Sequence, residues 1–290
     1  MAGSHLSWIE SYKRYTSHQI DVLSLPSSRW KWRMHGGSIT LSGMLNEIDK
    51  QYDLVICSDY INLPVFKSLL NKTHSATPTV IYFHENQPAY PWSDKDDDLS
   101  LKRDFHYYYI NQTSAILSDW NFFNSSYNMT SFTDNLIKYL DKMPDYRNLE
   151  TIEKIKSKSS VLHLGCDLVN MNALKESKSS AAPVILWNHR WEYDKNPELF
   201  FSTLRSIKSK GIKFKLIICG QEFSRSPDIF KYSILEFKDE IIHSGYCASR
   251  DEYIKLLWSA DILPVTSIQD FFGISIVEAV YCNTYPILPR

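Results

Sequence analysis

Short apolar runs rich in β-branched residues alternate along this chain with longer amphipathic stretches, the pattern expected of parallel sheets flanked by helices. The alternation is clearest late. Residues 184–187, 214–219, 241–244, 261–265 and 285–288 predict strands. Between them the apolar spacing predicts helices over 197–210, opened by Pro197, over 228–238, from a Ser249 cap to about Ala260, and after Gly273. Earlier, 19–23, 54–57, 79–83, 120–123 and 161–164 predict strands with helical stretches between most of them.

The polar stretch 175–182, rich in Ser, Lys and Ala and without periodicity, reads as a linker. A boundary near Ser179 divides the chain into α/β domains over 1–178 and 179–290, and 290 residues suffice for two cores. Both ends look clipped. The chain runs from Met1-Ala2-Gly3-Ser4-His5 straight into a helical pattern, and Arg290 directly follows a strand that a complete doubly wound domain would cover with a helix.

Charge adds little to this picture: 32 Lys and Arg against 33 Asp and Glu leave no global attraction to nucleic acid or an anionic membrane, so a polyanionic partner needs a local patch. Cys57, Cys166, Cys219, Cys247 and Cys282 are dispersed, odd in number and never in a C-x-x-C pair, which argues against a disulfide framework and against a zinc site. A reducing cytosol fits, and no apolar run or signal peptide predicts stable membrane association. Aromatic residues at 14% exceed what a core needs and are candidates for lining a cleft.

The candidate chemistry gathers at strand ends. Arg190 and Lys195 follow the strand at 184–187, at the edge where α/β sheets bind ligands, and two cations there suit a diphosphate; solvated loop cations are the plain alternative. Asp270-Phe271-Phe272-Gly273 precedes another helix, where Gly273 lets backbone approach a ligand and the free N–H groups of the helix start can hold phosphate without metal. Glu278 lies deeper on that helix among apolar neighbours, suited to the two hydroxyls of a ribose. Gly220, Glu222 and Gly245-Tyr246 are candidates for the edge near the base. In the first half, His84-Glu85-Asn86-Gln87 follows the strand at 79–83, with a hydrogen-bonded strand-end histidine as the alternative reading of His84. Arg29-Trp30-Lys31-Trp32-Arg33 alternates cation and ring: an extended backbone would set cations on one face and indoles on the other, to grip phosphates and stack a base, but the indoles could equally be buried. The D-x-D spacing within 94–98 sits in a charged loop and reads as solvated.

Arg190 with Lys195, then an acid–seven residues–acid element ending at Glu278, resembles the donor-site signature of retaining glycosyltransferase family four, with Asp270 where that family usually has Glu. A narrower resemblance spans nearly the whole chain. Gly3-Ser4-His5, Trp30-Lys31-Trp32-Arg33, Tyr82-Phe83-His84-Glu85-Asn86-Gln87, Phe123-Asn124-Ser125, His189-Arg190-Trp191-Glu192 and Phe271-Phe272-Gly273 through Glu278-Ala279-Val280-Tyr281-Cys282 together resemble the tRNA-queuosine alpha-mannosyltransferase family. That resemblance implies a GT-B fold, two Rossmann-like domains facing across a cleft, and retaining transfer of mannose from GDP-mannose to queuosine in tRNA without metal or other cofactor. It implies that His84 contacts the donor sugar, that Glu85 and Asn86 orient the acceptor hydroxyl or donor sugar, and that catalysis comes mostly from Arg190, Lys195 and the helix start stabilising the leaving diphosphate. Gly3, Arg190, Lys195, Gly220, Tyr246, Asp270, Phe271, Phe272, Gly273 and Glu278 are expected at the donor, and Arg29, Trp30, Lys31, Trp32, Arg33 and Gln87 at the acceptor. The rivals are a same-fold enzyme acting on a lipid-linked or surface glycan, and a catalytically silent module that binds a nucleotide-sugar or RNA.

Overall fold

The computed structural model describes residues 3–26, 29–93, 96, 98, 101, 105–176, 178, 180–222 and 226–289. The chain divides into compact units over 1–165 and 166–290. The division falls before the Ser179 boundary expected from composition, and Ser179 itself lies outside the described residues. Residues 166–176 belong with the second unit because a short 3-10 helix, Val169–Leu174, packs there: Trp258 Nε1 donates to the Met171 carbonyl at 2.9 Å. Lys178, inside the expected linker, donates to Asp261 at 3.0 Å.

In the first unit, strands β1 (Val55–Ser58), β2 (Thr79–Phe83), β3 (Trp120–Phe123) and β4 (Ser159–Val161) form a parallel sheet in that spatial order. All five residues of β2 are buried, as the apolar run 79–83 demands of a central parallel strand. One face meets helices Leu63–Ser68, Ser126–Leu140 and Glu150–Lys156 through Phe66, Phe132, Leu136 and Ile155. On the other face Trp8, from helix Gly3–Tyr15, stacks on Tyr82 with ring centroids 4.9 Å apart.

Two segments depart from the elements their sequence predicts. Residues 19–23 form no strand: the segment has no regular structure and is held by side chains, with Asp21 accepting from Lys50 at 2.7 Å and Tyr52 at 2.8 Å. Arg29–Arg33 is not extended either. Trp30 starts a helix, Trp30–Asn46, entered from Arg29 at φ 59°, so the two indoles lie on different sides: Trp30 packs against Tyr107 while Trp32 is 62% exposed. A Cβ at Gly36 would meet the Trp32 ring at 2.7 Å, so the indole folds back along its own helix only because Gly36 is bare.

The second unit is a parallel sheet in the order β7-β6-β5-β8-β9, from β5 (Val184–Trp187), β6 (Lys215–Cys219), β7 (Ile241–Gly245), β8 (Ile262–Pro264) and β9 (Tyr285–Ile287). Numbered within the unit this is 3-2-1-4-5, the doubly wound order. Alternate residues of β5 enter opposite cores. Val184 and Leu186 face helices Arg250–Ser259 and Ile274–Tyr281, whereas Ile185 and Trp187 face helices Pro197–Ser209 and Ile229–Glu236. Ser249 caps its helix as its position predicts, accepting from the Glu252 amide at 3.1 Å. Among the described residues, no helix is long and apolar enough to cross a membrane.

Candidate functional site

The strand order reverses direction between β5 and β8, and doubly wound sheets bind ligands in the crevice beyond the carboxyl ends at that point. Chain leaving β5 supplies Asn188, His189, Arg190 and Lys195; chain leaving β8 supplies Asp270 and Gly273. These two loops meet. Lys195 is buried and its Nζ lies 2.7 Å from Asp270 Oδ1 and 3.1 Å from Asp194 Oδ2. Further bonds fix the loops to each other: the Ile268 amide donates to the Asp194 carbonyl at 2.8 Å, and Thr266 Oγ1 to the Lys195 carbonyl at 2.8 Å. Asn188 Nδ2 donates to the Ser275 carbonyl at 2.8 Å, so the helix that starts beyond Gly273 is tied to the end of β5.

The electrostatics differ from a bare pair of cations. The Lys195 ammonium is shared between two carboxylates and offsets only one of their charges, and Arg190 is half-exposed beside Glu192 at 3.0 Å. What stands ready to receive a ligand is a set of buried polar atoms without partners: Asn188 Oδ1, His189 Nε2, Asp194 Oδ1, Ser267 Oγ and Asp270 Oδ2. Each unsatisfied buried group costs about 1–3 kcal/mol, and a ligand rich in hydroxyls could satisfy them. Burial, modified by Asp270, Lys195 and Asp194, lowers His189 to about 4, so its ring is neutral at pH 7. Gly273, at φ 74°, opens helix Ile274–Tyr281 with no side-chain cap, leaving the start of the helix dipole uncovered.

Glu278 on that helix is buried, and both its oxygens are engaged. Arg250 donates to Oε1 and Tyr253 to Oε2, the latter at 3.2 Å. Burial first, then Glu278, holds the Tyr253 phenol well above its ordinary value. Arg250 and Tyr253 carry no motif signal; only the packing of their helix on Ile274–Tyr281 makes them partners of Glu278. At the carboxyl ends of β6 and β7 a pocket of about 530 Å³ is lined by Trp191, Gly220, Gln221, Glu222, Gly245 and Tyr246, and thus gathers the residues expected near a base. Gly220 cannot be another residue there, because a Cβ would lie 2.1 Å from the His189 carbonyl oxygen. Trp191 is fixed by stacking on Phe230, centroids 4.6 Å apart and planes within 3°. Phe271 is buried and Phe272 half-buried at the foot of the same loop.

In the first unit the strand-end polar residues are knitted to one another. Asp59, just past β1, accepts from the His84 amide at 3.0 Å; Glu85 accepts from Tyr60 at 2.7 Å and from Gln87 Nε2 at 3.0 Å. Asn86 donates to Asn128 Oδ1 at 2.8 Å, and Asn124 Nδ2 to the His84 carbonyl at 2.7 Å. His84 is buried under His5, ring centroids 4.1 Å apart, so burial and then His5 hold it well below the ordinary histidine value. Burial, then the Glu85 carboxylate, raise Asp59 well above the usual range. Asp59 was missed in the sequence, where its only signal is an acid directly after a strand. Gly3 begins the first helix, while Lys31 pairs with Asp96 and Asp98 and stands over the Trp92 ring at 5.3 Å. Arg33 Nε donates to the Pro26 carbonyl at 3.4 Å. Of the D-x-D stretch, Asp94 and Asp97 lie outside the described residues.

Residues 1–166 match the family model "tRNA-queuosine alpha-mannosyltransferase N-terminal". The chain belongs to the tRNA-queuosine alpha-mannosyltransferase family. Residues 172–289 match the model of group 1 glycosyl transferases, so this family member carries a glycosyltransferase domain in the unit that holds the switch-point site. It is 29% identical over 297 aligned residues to the tRNA-queuosine alpha-mannosyltransferase of Drosophila melanogaster, covering 99% of this chain and 77% of that protein.

Among solved structures it resembles Anabaena HepE in complex with UDP, at TM-score 0.54 and 16% identity over 86% of this chain. It also resembles the sucrose-phosphate synthase of Thermosynechococcus elongatus, at TM-score 0.61 and 14% identity over 91% of this chain. The chain spans 62% of the length of each of these two structures. These likenesses establish the GT-B class of α/β fold that the motifs implied.

Proposed function

We propose that this protein transfers mannose from GDP-mannose to queuosine in tRNA with retention of anomeric configuration and without a metal at the diphosphate. The second unit takes the donor and the first unit handles the acceptor. The observation that carries this reading is the meeting, at the β5/β8 switch point, of Lys195 and Asp270 with the uncapped helix start and with buried polar atoms that lack partners.

Asp270 Oδ2 and His189 Nε2 suit sugar hydroxyls, Glu278 with Arg250 and Tyr253 suits a ribose, and the pocket by Trp191 and Tyr246 suits a base. Arg190 and the helix amides supply the positive field for the diphosphate, while Lys195 offsets one of the two negative charges of Asp270 and Asp194 and so reduces their repulsion of it. The bond from the anomeric carbon to the diphosphate oxygen breaks as the acceptor oxygen bonds to the same face, and the departing phosphate oxygen takes the acceptor proton. No protein base is required for that step.

The test is incubation of purified queuosine-containing tRNA with radiolabelled GDP-mannose, UDP-glucose and UDP-galactose in separate reactions. Label should pass to tRNA from GDP-mannose and be released by an alpha-specific mannosidase. Binding of donor without transfer from any of the three would favour a silent module and reject the enzymatic reading.

A further inference from the structure

Cys219 is distant in sequence from His243 and Cys247, yet the fold gathers the three at the carboxyl ends of β6 and β7. Their ligand atoms all lie within 4.8 Å of one another, a grouping found among the described residues at this place alone. The cause is the sheet register. Cys219 pairs with Gly245 and Ile217 with His243, so the His243 side chain projects on the same face as Cys219, and the turn after Gly245 brings Cys247 back over both.

Two of the three separations match a tetrahedral metal centre, and His243 Nε2, which lies 3.2 Å from the Gly245 carbonyl oxygen here, would exchange that contact for the ion. Cys219 Sγ and Cys247 Sγ are 3.8 Å apart, and Cys247 Sγ is 3.7 Å from His243 Nε2. With Zn–S near 2.3 Å and Zn–N near 2.0–2.1 Å, tetrahedral angles place two sulfurs about 3.8 Å apart and a sulfur and nitrogen about 3.6 Å apart. A second, independent observation concerns the far side of the imidazole. His243 Nδ1 faces Glu252 Oε1 at 3.8 Å, and Glu252 is itself anchored by the Ala248 amide at 2.7 Å. A carboxylate behind the ring is how ligating histidines are oriented and made more basic. Two thiolates, a neutral imidazole and Zn²⁺ sum to zero charge, which suits the buried position of both sulfurs in the second core.

We infer that Cys219, His243 and Cys247 bind one zinc ion, with a solvent molecule completing the tetrahedron. Binding releases the two thiol protons. The ion joins the ends of β6 and β7, and Gly220, next to Cys219, together with Gly245 and Tyr246, which lie between His243 and Cys247, lines the pocket. It thereby stiffens one wall of that pocket and is separate from the diphosphate, so this inference stands or falls independently of the proposed donor and acceptor.

The experiment is metal analysis of the purified full chain, followed by replacement with Co²⁺ and absorption spectroscopy. One zinc per chain is expected, and the cobalt form should show a thiolate-to-cobalt charge-transfer band with the intense visible bands of tetrahedral coordination. Cys247→Ala and His243→Gln should each lower metal retention at least tenfold, and the Cys282→Ala control should leave it unchanged. His243 is half-buried on a strand, so His243→Gln keeps the test valid if Cys247→Ala fails to fold. Less than a tenth of an ion per chain after incubation with Zn²⁺, a cobalt spectrum without thiolate bands, retention indifferent to both variants, or a Cys219–Cys247 disulfide in the purified protein would each overturn the assignment.

Discussion

Replacing Lys195 with Met removes one ammonium and leaves a buried carboxylate, Asp194, and a half-buried one, Asp270, on either side of its former place. Asp194 is 3% exposed, and Asp270 Oδ2 already lacks a partner. Neither acid can stay ionised there cheaply. The cost has a ceiling, because an Asp that ordinarily titrates near 3.9 can be held protonated at pH 7 for about 4 kcal/mol. Breaking a buried pair costs about 3–5 kcal/mol, and the two estimates agree.

Lys195→Met should therefore lower the stability of the second unit by about 3–4 kcal/mol at pH 7. The pH dependence has a definite sign. Without the ammonium the folded-state carboxyl values rise above the unfolded ones, so the folded form binds more protons and the deficit shrinks as pH falls from 7 toward 4. Asp270→Asn in the Lys195→Met background should restore part of the loss, giving a coupling of at least about 1 kcal/mol between the two sites. Urea denaturation of the four proteins of this cycle, at pH 7 and pH 5, measures all of it. A loss below about 1 kcal/mol, or additive effects of the two substitutions, would show that the contact is an ordinary solvated ion pair and not the neutralising element of the site.

Other outcomes follow from single groups. His189 is lowered to about 4 by burial and His84 is held well below its ordinary value, so the unfolded chain takes up their protons first. Stability should fall as pH drops from about 6.5 toward 4, with His189 alone worth on the order of 3 kcal/mol; a flat stability profile over that interval in thermal unfolding would contradict the burial of both rings. Gly220→Ala puts a Cβ 2.1 Å from the His189 carbonyl and should cost more than about 3 kcal/mol, read as a lowered melting temperature with loss of nucleotide binding. Trp32→Ala, at a 62% exposed indole, should leave melting unchanged and weaken tRNA retention in a filter-binding assay if the first unit stacks nucleic acid there. Equal retention by both proteins would remove Trp32 from the acceptor surface.

Much of the architecture was legible because local and global preferences coincide. The apolar runs at 79–83 and 184–187 are central parallel strands buried on both faces, and Pro197, Ser249 and Gly273 mark helix starts through backbone chemistry that acts locally. Residues 19–23 misled because β-like composition does not by itself bring a segment into register with a sheet edge; here side chains from Lys50 and Tyr52 hold the segment instead. The helix Trp30–Asn46 contains Gly36, Gly37 and Gly43, poor helix formers, and is held by burial of Met34, Ser38 and Leu45, which tertiary packing alone decides.

At the site, strand-end position was enough to nominate Lys195, Asp270, Gly220 and Tyr246. It was not enough to show that Lys195 is spent on Asp270 and Asp194, or that Arg250 reaches Glu278, since both depend on how separate loops and helices pack. The Cys219–His243–Cys247 group was invisible for the same reason: its spacing resembles no metal motif, and only the β6/β7 register assembles it.

The most direct test of the central claim is calorimetric titration of the protein with GDP-mannose in buffer free of magnesium, repeated with Arg190→Ala and Glu278→Ala. Binding should be no stronger with magnesium and should weaken at least tenfold, about 1.4 kcal/mol, in each variant. Binding that requires magnesium, or that is unchanged in both variants, would contradict it.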